Sequence, residues 1–420
     1  MEIVGFRLYL IFLCSFFLHL PQRVPVLGVI RFDLLLLGMI LVTILMTLKE
    51  RNQKRIQADS GKILWILVLY LVISLPFVQW PGSVLQTGAP RFMNAAVFFV
   101  YTVYFINTEQ RLTSLITCYA VAQVFRVLEP LYLHITDGYW GSATYMGPGE
   151  FLERLSGAPS DVINPNGLAF VIVSVLPFLH YLLIQRSFWW RCLYLGLLGA
   201  LVYTLILTAS RSGFLSLLII VMVVVLRSKR MMTYISLGSI AVVIGLPIVI
   251  GTMTELQRDR YLSIYRHDVP GASTSEGRVS GMFDDFEVGM RRPIVGHGLG
   301  TSLEATVHAT GHYQLSHTLY TEILQELGFI GLIIFLIYMR SIFRNIAASM
   351  TSAKEIWTEK HFVFGTLRAL DAWIWMALFF SLASYGLTTY EWYFFGGLAV
   401  VVQRLLTQER EARAETVSPG

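Results

Sequence analysis

Two short polar segments interrupt an apolar sequence with side chains able to do chemistry. TASRSG (208–213) puts an arginine, two serines and a glycine inside the otherwise apolar stretch 192–227. An arginine at a bilayer boundary is costly without a partner, so Arg211 is a functional candidate; helix capping accounts for the serines and the glycine but not for the guanidinium. That group is a planar, permanently charged fork suited to phosphate oxygens, and it tolerates partial burial better than an ammonium. The second segment, HATGHYQLSHTLYTEILQELGFIGL (308–332), is rich in histidine, the side chain best suited to proton transfer near neutral pH. His317 opens an apolar run and is held at its edge, where it is a candidate base. Glu322 and Glu326 follow in the same run and are expected to pair with arginine across a helix interface. His308 and His312 are spaced i,i+4, but the intervening ATG is a poor helix and no carboxylate has ligand-like spacing, so no metal site is expected. The Asp284/Asp285 pair lacks a third ligand and reads as solvated loop acids.

Further candidates come from the flanking loops. In RLSGAPSDVINPNGLAF (154–170), Asn164 suits a helix cap and Pro165 the first turn, which leaves Arg154 to be explained. Arg291 and Arg292 close an apolar-periodic stretch from Arg278 to Met290, and a glycine turn, GHGLG (296–300), follows. Arg126 and Glu129, one helical turn apart, read as a structural ion pair.

The elements that position these residues must be membrane spans. The chain has 420 residues, 55% hydrophobic and 14% charged, with a mean hydropathy of +0.61. A soluble domain carries roughly a quarter of its residues as charges, so this chain is an integral membrane protein of all-α class. The composition also excludes a disordered chain, a collagen and a disulfide scaffold. Cys14, Cys118 and Cys192 lie in apolar runs and read as small buried hydrophobes. Twelve runs are long enough to cross a bilayer: about 3–20, 25–48, 63–79, 91–106, 112–134, 166–185, 192–209, 213–227, 231–251, 318–339, 369–387 and 390–406. The first is followed by LPQRVP rather than a small-residue cleavage site and is expected to be retained.

Lysine and arginine bias sets the orientation. Alternating twelve spans puts KERNQKRIQADSGK (49–62), RSKR (227–230), segment 340–368 and the tail on one side, the cytoplasmic one, with both termini. That side holds 20 basic and 10 acidic residues, including all six lysines, against 12 basic and 17 acidic outside. The net charge of +5 is thus a +10 inner side and a −5 outer side whose cations are all arginine. The expected organisation is spans 1–9 over residues 1–251 with an outer loop at 136–165, a large outer loop over 252–317, three spans over 318–406 and a cytoplasmic tail over 407–420. Within the large loop, 255–269 suits a helix lying on the interface and 270–277 is turn-rich.

Together these segments resemble the O-antigen ligase and polymerase superfamily. The family's signature, a histidine, a small polar residue, nine further residues and GxxG, reads here as His317, Thr318, LYTEILQEL, Gly328, Phe329, Ile330 and Gly331. Threonine stands where the family usually has Asn, Ser or Gln. SRSG at 210–213, GR at 277–278, PIVGHGLG at 293–300 and RLSG with NPNG at 154–167 follow the family's order of motifs, so the resemblance covers about 150–335.

The resemblance implies a GT-C-like, metal-independent, inverting glycosyltransferase of the bacterial inner membrane that needs no cofactor and works at the periplasmic face. His317 would activate the acceptor hydroxyl, while Arg211 and Arg278 would bind the diphosphate. Arg154, Glu322 and Arg291 are supporting candidates. The implied partners are an undecaprenyl-diphosphate-linked glycan donor, an acceptor glycan (lipid A-core or a lipid-linked repeat) and membrane lipid, with no nucleic acid. A transporter of a lipid-linked sugar or anion is the alternative; it would carry inverted repeats and polar groups at mid-membrane, whereas no repeat is visible and the polar residues gather at one face.

Overall fold

The computed structural model describes residues 1–47, 59–147, 149–263, 273–316, 318–384 and 386–417. The chain begins with α1 (Glu2–Leu18), the short α2 (Leu20–Arg23) and α3 (Pro25–Val29), and α4 (Phe32–Thr47). Next come α5 (Asp59–Ser74), one-turn α6 (Pro81–Ser83), α7 (Ala89–Phe105) and α8 (Glu109–Asp137). An antiparallel hairpin of β1 (Gly141–Gly147) and β2 (Glu150–Leu155) follows, with Gly141 opposite Leu155 and Gly147 opposite Glu150. The second half holds α9 (Pro165–Leu183), α10 (Phe188–Leu207), α11 (Arg211–Leu226), α12 (Met231–Thr252), α13 (Glu255–Leu262), α14 (Ser273–Met290), α15 (Ser302–Thr310), α16 (Leu319–Ile356), α17 (Phe362–Phe380) and α18 (Glu391–Val417).

Helices lie over every expected apolar run, and six among the described residues are long and apolar enough to cross a membrane: α5 with the turn that extends it to Phe77, α8, α9, α10, α16 and α17. The run 25–48 is not one helix, because Arg31 takes a left-handed φ of 49° between α3 and α4. The 270–277 segment is helical from Ser273 rather than turn-rich, and α18 carries the tail as helix to Val417. The hairpin is the one sheet among the described residues.

Packing follows the apolar faces. At the centre, α17 packs on α9 and α11, and α18 on α7 and α16, around the buried Trp373, Tyr393 and Phe394. Outside it, α5 and α10 expose Trp65, Leu69, Val72, Trp189 and Leu195, an apolar surface that suits lipid rather than water. The polar connections sort to two ends. At one, Arg111 bonds Glu2 (2.6 Å), Lys229 lies 3.1 Å from Glu359 and His361 3.5 Å from Glu109. The hairpin, the 208–211 turn, α13 and the turns at 381–384 and 386–390 gather at the other.

Candidate functional site

The local sequence at 208–213 makes a tight corner between two helices. Thr208 ends α10, Ala209 is left-handed at φ 47°, and Ser210 caps α11 by accepting from the Gly213 amide at 3.3 Å. Two carbonyls at the end of α10 face outward, where the helix dipole favours cations. Arg154 Nε donates to the Thr208 carbonyl at 2.7 Å and Arg260 Nε to the Ala209 carbonyl at 2.9 Å. Arg211, the first residue of α11, donates from Nη1 to Ser263 Oγ at 2.8 Å, and Ser263 Oγ donates to the Arg260 carbonyl. Three guanidinium groups are therefore drawn onto one corner, with Arg154 and Arg260 only 5% and 3% exposed. Asn166 ties the group to α9: its Oδ1 accepts from Arg154 Nη2 at 2.9 Å and Ser210 Oγ at 3.0 Å. Arg154 and Arg211, singled out from sequence, thus come together. Arg260 was read only as part of an interfacial helix; the α13 capping box at Thr254 and Gln257, which fixes that helix's start, was the available signal.

Asn166 also lines a cleft of about 500 Å³ between α9, α17 and the turn before α18, walled by Asn164, Ser316, Trp373, Glu391 and Trp392 among others. Asn164 caps α9 as expected, accepting from the Gly167 amide at 2.8 Å. His317 falls outside the described residues, but the residues beside it are fixed. Ser316 Oγ donates to Asp285 Oδ2 at 3.2 Å, and Thr318 caps α16 by accepting from the Thr321 amide at 3.0 Å. Asp285 also accepts from Gln325 Nε2 at 3.0 Å. It is buried on α14 and joins that helix to α16, so only Asp284 of the acid pair is solvated. A carboxylate that can accept from two elements at once is worth burying in an interface, which the bare spacing does not reveal.

Glu322 and Glu326 bond to backbone amides, and neither bonds to an arginine among the described residues. Glu322 Oε2 accepts from the Gly386 and Leu387 amides at 2.7 and 3.0 Å, and so holds a turn that borders the cleft. Glu326 accepts from Gly300 at 2.7 Å and Ser302 at 3.3 Å, the start of α15. Between them and the rest of α16 the helix breaks at Gly328 (φ 64°, ψ −170°). The freed carbonyls of Gln325, Glu326 and Leu327 accept from the His297 amide, the Gly298 amide and Tyr70 Oη, and the Phe329 amide donates to Pro293. The PIVGHGLG segment is docked into the helix break. A Cβ at Gly328 would lie 2.7 Å from the Pro293 carbonyl oxygen, and one at Gly296 2.5 Å from the Leu327 amide nitrogen.

The remaining candidates lie apart from the corner. Arg278 is on α14, seven residues before Asp285; its side chain falls outside what the structure describes. Arg291 stands 3.8 Å from Glu287 on the exposed end of α14, and Arg292 donates to the Phe77 carbonyl. His308 ends α15 with its ring stacked on Trp80, whose other ring neighbour is His297, while His312 lies beyond that helix. His297 pairs with the Gln79 side chain (2.6 Å) and the Val288 carbonyl (3.0 Å), and burial pushes its pKa below the usual value. Arg126 does not pair with Glu129. It grips Asp161 with two bonds (2.6 and 3.0 Å), and Glu129 takes Arg23, because helix neighbours on α8 yield to better-placed partners on other segments.

Residues 195–336 match the Wzy_C family model, whose description is O-antigen ligase. The match is about a third of the chain; it includes Arg211, Arg260, Arg278, His317 and Gly328 but neither Arg154 nor the α9, α17 and α18 walls of the cleft. No curated protein matches the chain. The matched segment holds Arg211 and Arg260 of the corner, the docked glycine turn and the histidine motif, and over it the chain is similar to the O-antigen ligase family.

Proposed function

We propose that the protein is a surface-polysaccharide ligase or polymerase that transfers a glycan from undecaprenyl diphosphate to an acceptor hydroxyl, with inversion and without a metal. The observation that carries this reading is the arginine corner, which shares Asn166 with a cleft reaching the residue before His317. Diphosphate is already a good leaving group, so positioning, electrostatic stabilisation and one base suffice. His317 takes the proton of the acceptor hydroxyl as its oxygen attacks the anomeric carbon from the face opposite the diphosphate. The bond from that carbon to the phosphate oxygen breaks, and its electron pair leaves on the lipid carrier. Arg211 and Arg278 bind the diphosphate and stabilise its growing charge, the work a divalent cation would otherwise do. Arg154 braces the corner, Glu322 fixes the cleft's edge, and Arg291 lies at the periphery. The lysine-rich end is cytoplasmic in the inner membrane, which turns the arginine corner to the periplasm.

The test is transfer by purified protein from lipid-linked oligosaccharide in chelator, with and without lipid A-core. Elongated product without lipid A-core marks a polymerase, and transfer that needs it marks a ligase. His317→Ala should lose about 10²- to 10⁴-fold in rate; full activity would remove His317 as the base. Arg211→Lys should lose most activity, since a point charge does not reproduce the paired contact of the fork.

A further inference from the structure

Two buried polar atoms in the wall of the cleft have no hydrogen-bond partner among the described residues: Trp373 Nε1 and Glu391 Oε2. Native proteins rarely leave such atoms unpaired, and Trp373 is 0% exposed. The two are complementary. An indole N–H only donates and an unprotonated carboxyl oxygen accepts, whereas a hydroxyl does both. A ligand with several hydroxyls offers a partner to each atom. A cation would face an N–H it cannot ligate, and an anion would face the carboxylate. The Trp392 and Phe380 side chains supply apolar wall for the C–H face of a ring, and Asn164 and Asn166 stand on the α9 side.

The residue before Glu391 is anchored in a chain of hydrogen bonds. Tyr390 Oη accepts from Gln123 Nε2 at 2.8 Å, Gln123 Oε1 accepts from Arg126 Nη1 at 3.0 Å, and Arg126 grips Asp161. A rigid mount lowers the ordering cost of binding. We propose that this cleft binds a pyranose ring of the acceptor glycan, with Glu391 accepting from one ring hydroxyl and Trp373 Nε1–H donating to another. The word acceptor rests on the transferase reading: the donor's diphosphate belongs at the arginine corner, on the other side of Asn166.

The experiment uses the full chain in lipid nanodiscs and two de-lipidated probes, core oligosaccharide and free polysaccharide repeat, titrated by calorimetry. At least one should bind. Glu391→Gln and Trp373→Phe should each weaken that binding about two- to ten-fold, since each removes or replaces one hydrogen-bonding group. In the transfer assay both variants should raise KM for the acceptor and leave KM for the lipid-linked donor unchanged. Trp373→Phe removes the N–H while keeping an aromatic ring, so it decides the matter if Glu391→Gln misfolds. Binding of neither probe, wild-type affinity in both variants, or a rise in donor KM alone overturns the subsite. Transfer by the wild type alongside any of those results leaves the transferase reading intact, whereas variant-sensitive probe binding without any transfer sinks that reading and keeps the subsite.

Discussion

Single residues at this site do more than their charge suggests. Arg154 and Arg260 use one nitrogen each to satisfy a carbonyl at the end of α10, and Ala209 between them holds a left-handed backbone that alanine rarely adopts. Removing a charged donor from such a carbonyl costs about 1.5–3 kcal/mol. Arg260→Gln should therefore lower the thermal midpoint and cut transfer at least about ten-fold, and an unchanged midpoint would show that the corner holds without it. His297 makes a second claim at this scale. Burial leads in lowering its pKa; Arg292 and Arg291 act the same way, and the Val288 carbonyl opposes them. A folded-state value below the unfolded value of about 6.5 favours the neutral ring, so its contribution to stability is full above that pH and is lost as pH falls through the folded value. Thermal midpoints measured from pH 7.5 down to pH 5 should fall, and His297→Gln should flatten the acid side of the curve. An equal slope in the variant would assign the loss to other groups.

At the scale of elements, the decisive contact is a loop set into a broken helix. The break at Gly328 exposes three carbonyls and one amide, and residues 293–298 together with Tyr70 satisfy all four. Gly328→Ala would force a side chain into positive φ and against the Pro293 carbonyl, at a cost on the order of 2–4 kcal/mol. Loss of the folded, monodisperse protein on mild heating checks this, and a wild-type midpoint would mean the loop is not locked there. Such a contact explains what could be read ahead of the structure. Asn164, Ser210 and Thr318 cap helices through bonds three residues long, so their roles were legible in the local sequence. The helix break was not, because Gly328 makes room for the Pro293–Ile294 backbone and Gly296 for the Glu326–Leu327 backbone, about thirty residues apart in sequence. Glu322 and Glu326 were assigned arginine partners on charge alone, while the amides they hold belong to turns whose approach only the tertiary fold determines. Arg126 failed likewise: i,i+3 spacing permitted Glu129, and Asp161 from the loop before α9 offered a two-bonded grip. Arg260 and Glu391 escaped because the local signals, a capping box at the start of α13 and a helix start at Glu391, mark elements and not roles; Arg260 acts on the Ala209 carbonyl, and Glu391 shares a cleft with residues of α9 and α17.

For the whole molecule, the two ends carry different chemistry, and the orientation proposed from charge decides which way the site would face. One end pairs Arg111, Lys229 and Arg368 with Glu2 and Glu359; the other collects Arg154, Arg211 and Arg260 at a helix corner. Lysine and arginine near short loops resist export across the membrane, so the proposed topology puts the more basic side inside whatever the substrate. An orientation drawn from charge and a site drawn from hydrogen bonds are independent, and they need only agree for the transferase reading to work. Single cysteines report on both. In a background with Cys14, Cys118 and Cys192 replaced by alanine, Lys229→Cys and His312→Cys each present an exposed thiol at opposite ends. An impermeant maleimide added to intact spheroplasts should label His312→Cys at once and Lys229→Cys only after lysis. Labelling of both from one side would mean the two ends do not straddle a bilayer. The reverse pattern would keep the architecture but turn the arginine corner to the cytoplasm, where it could not serve a carrier whose glycan is joined outside.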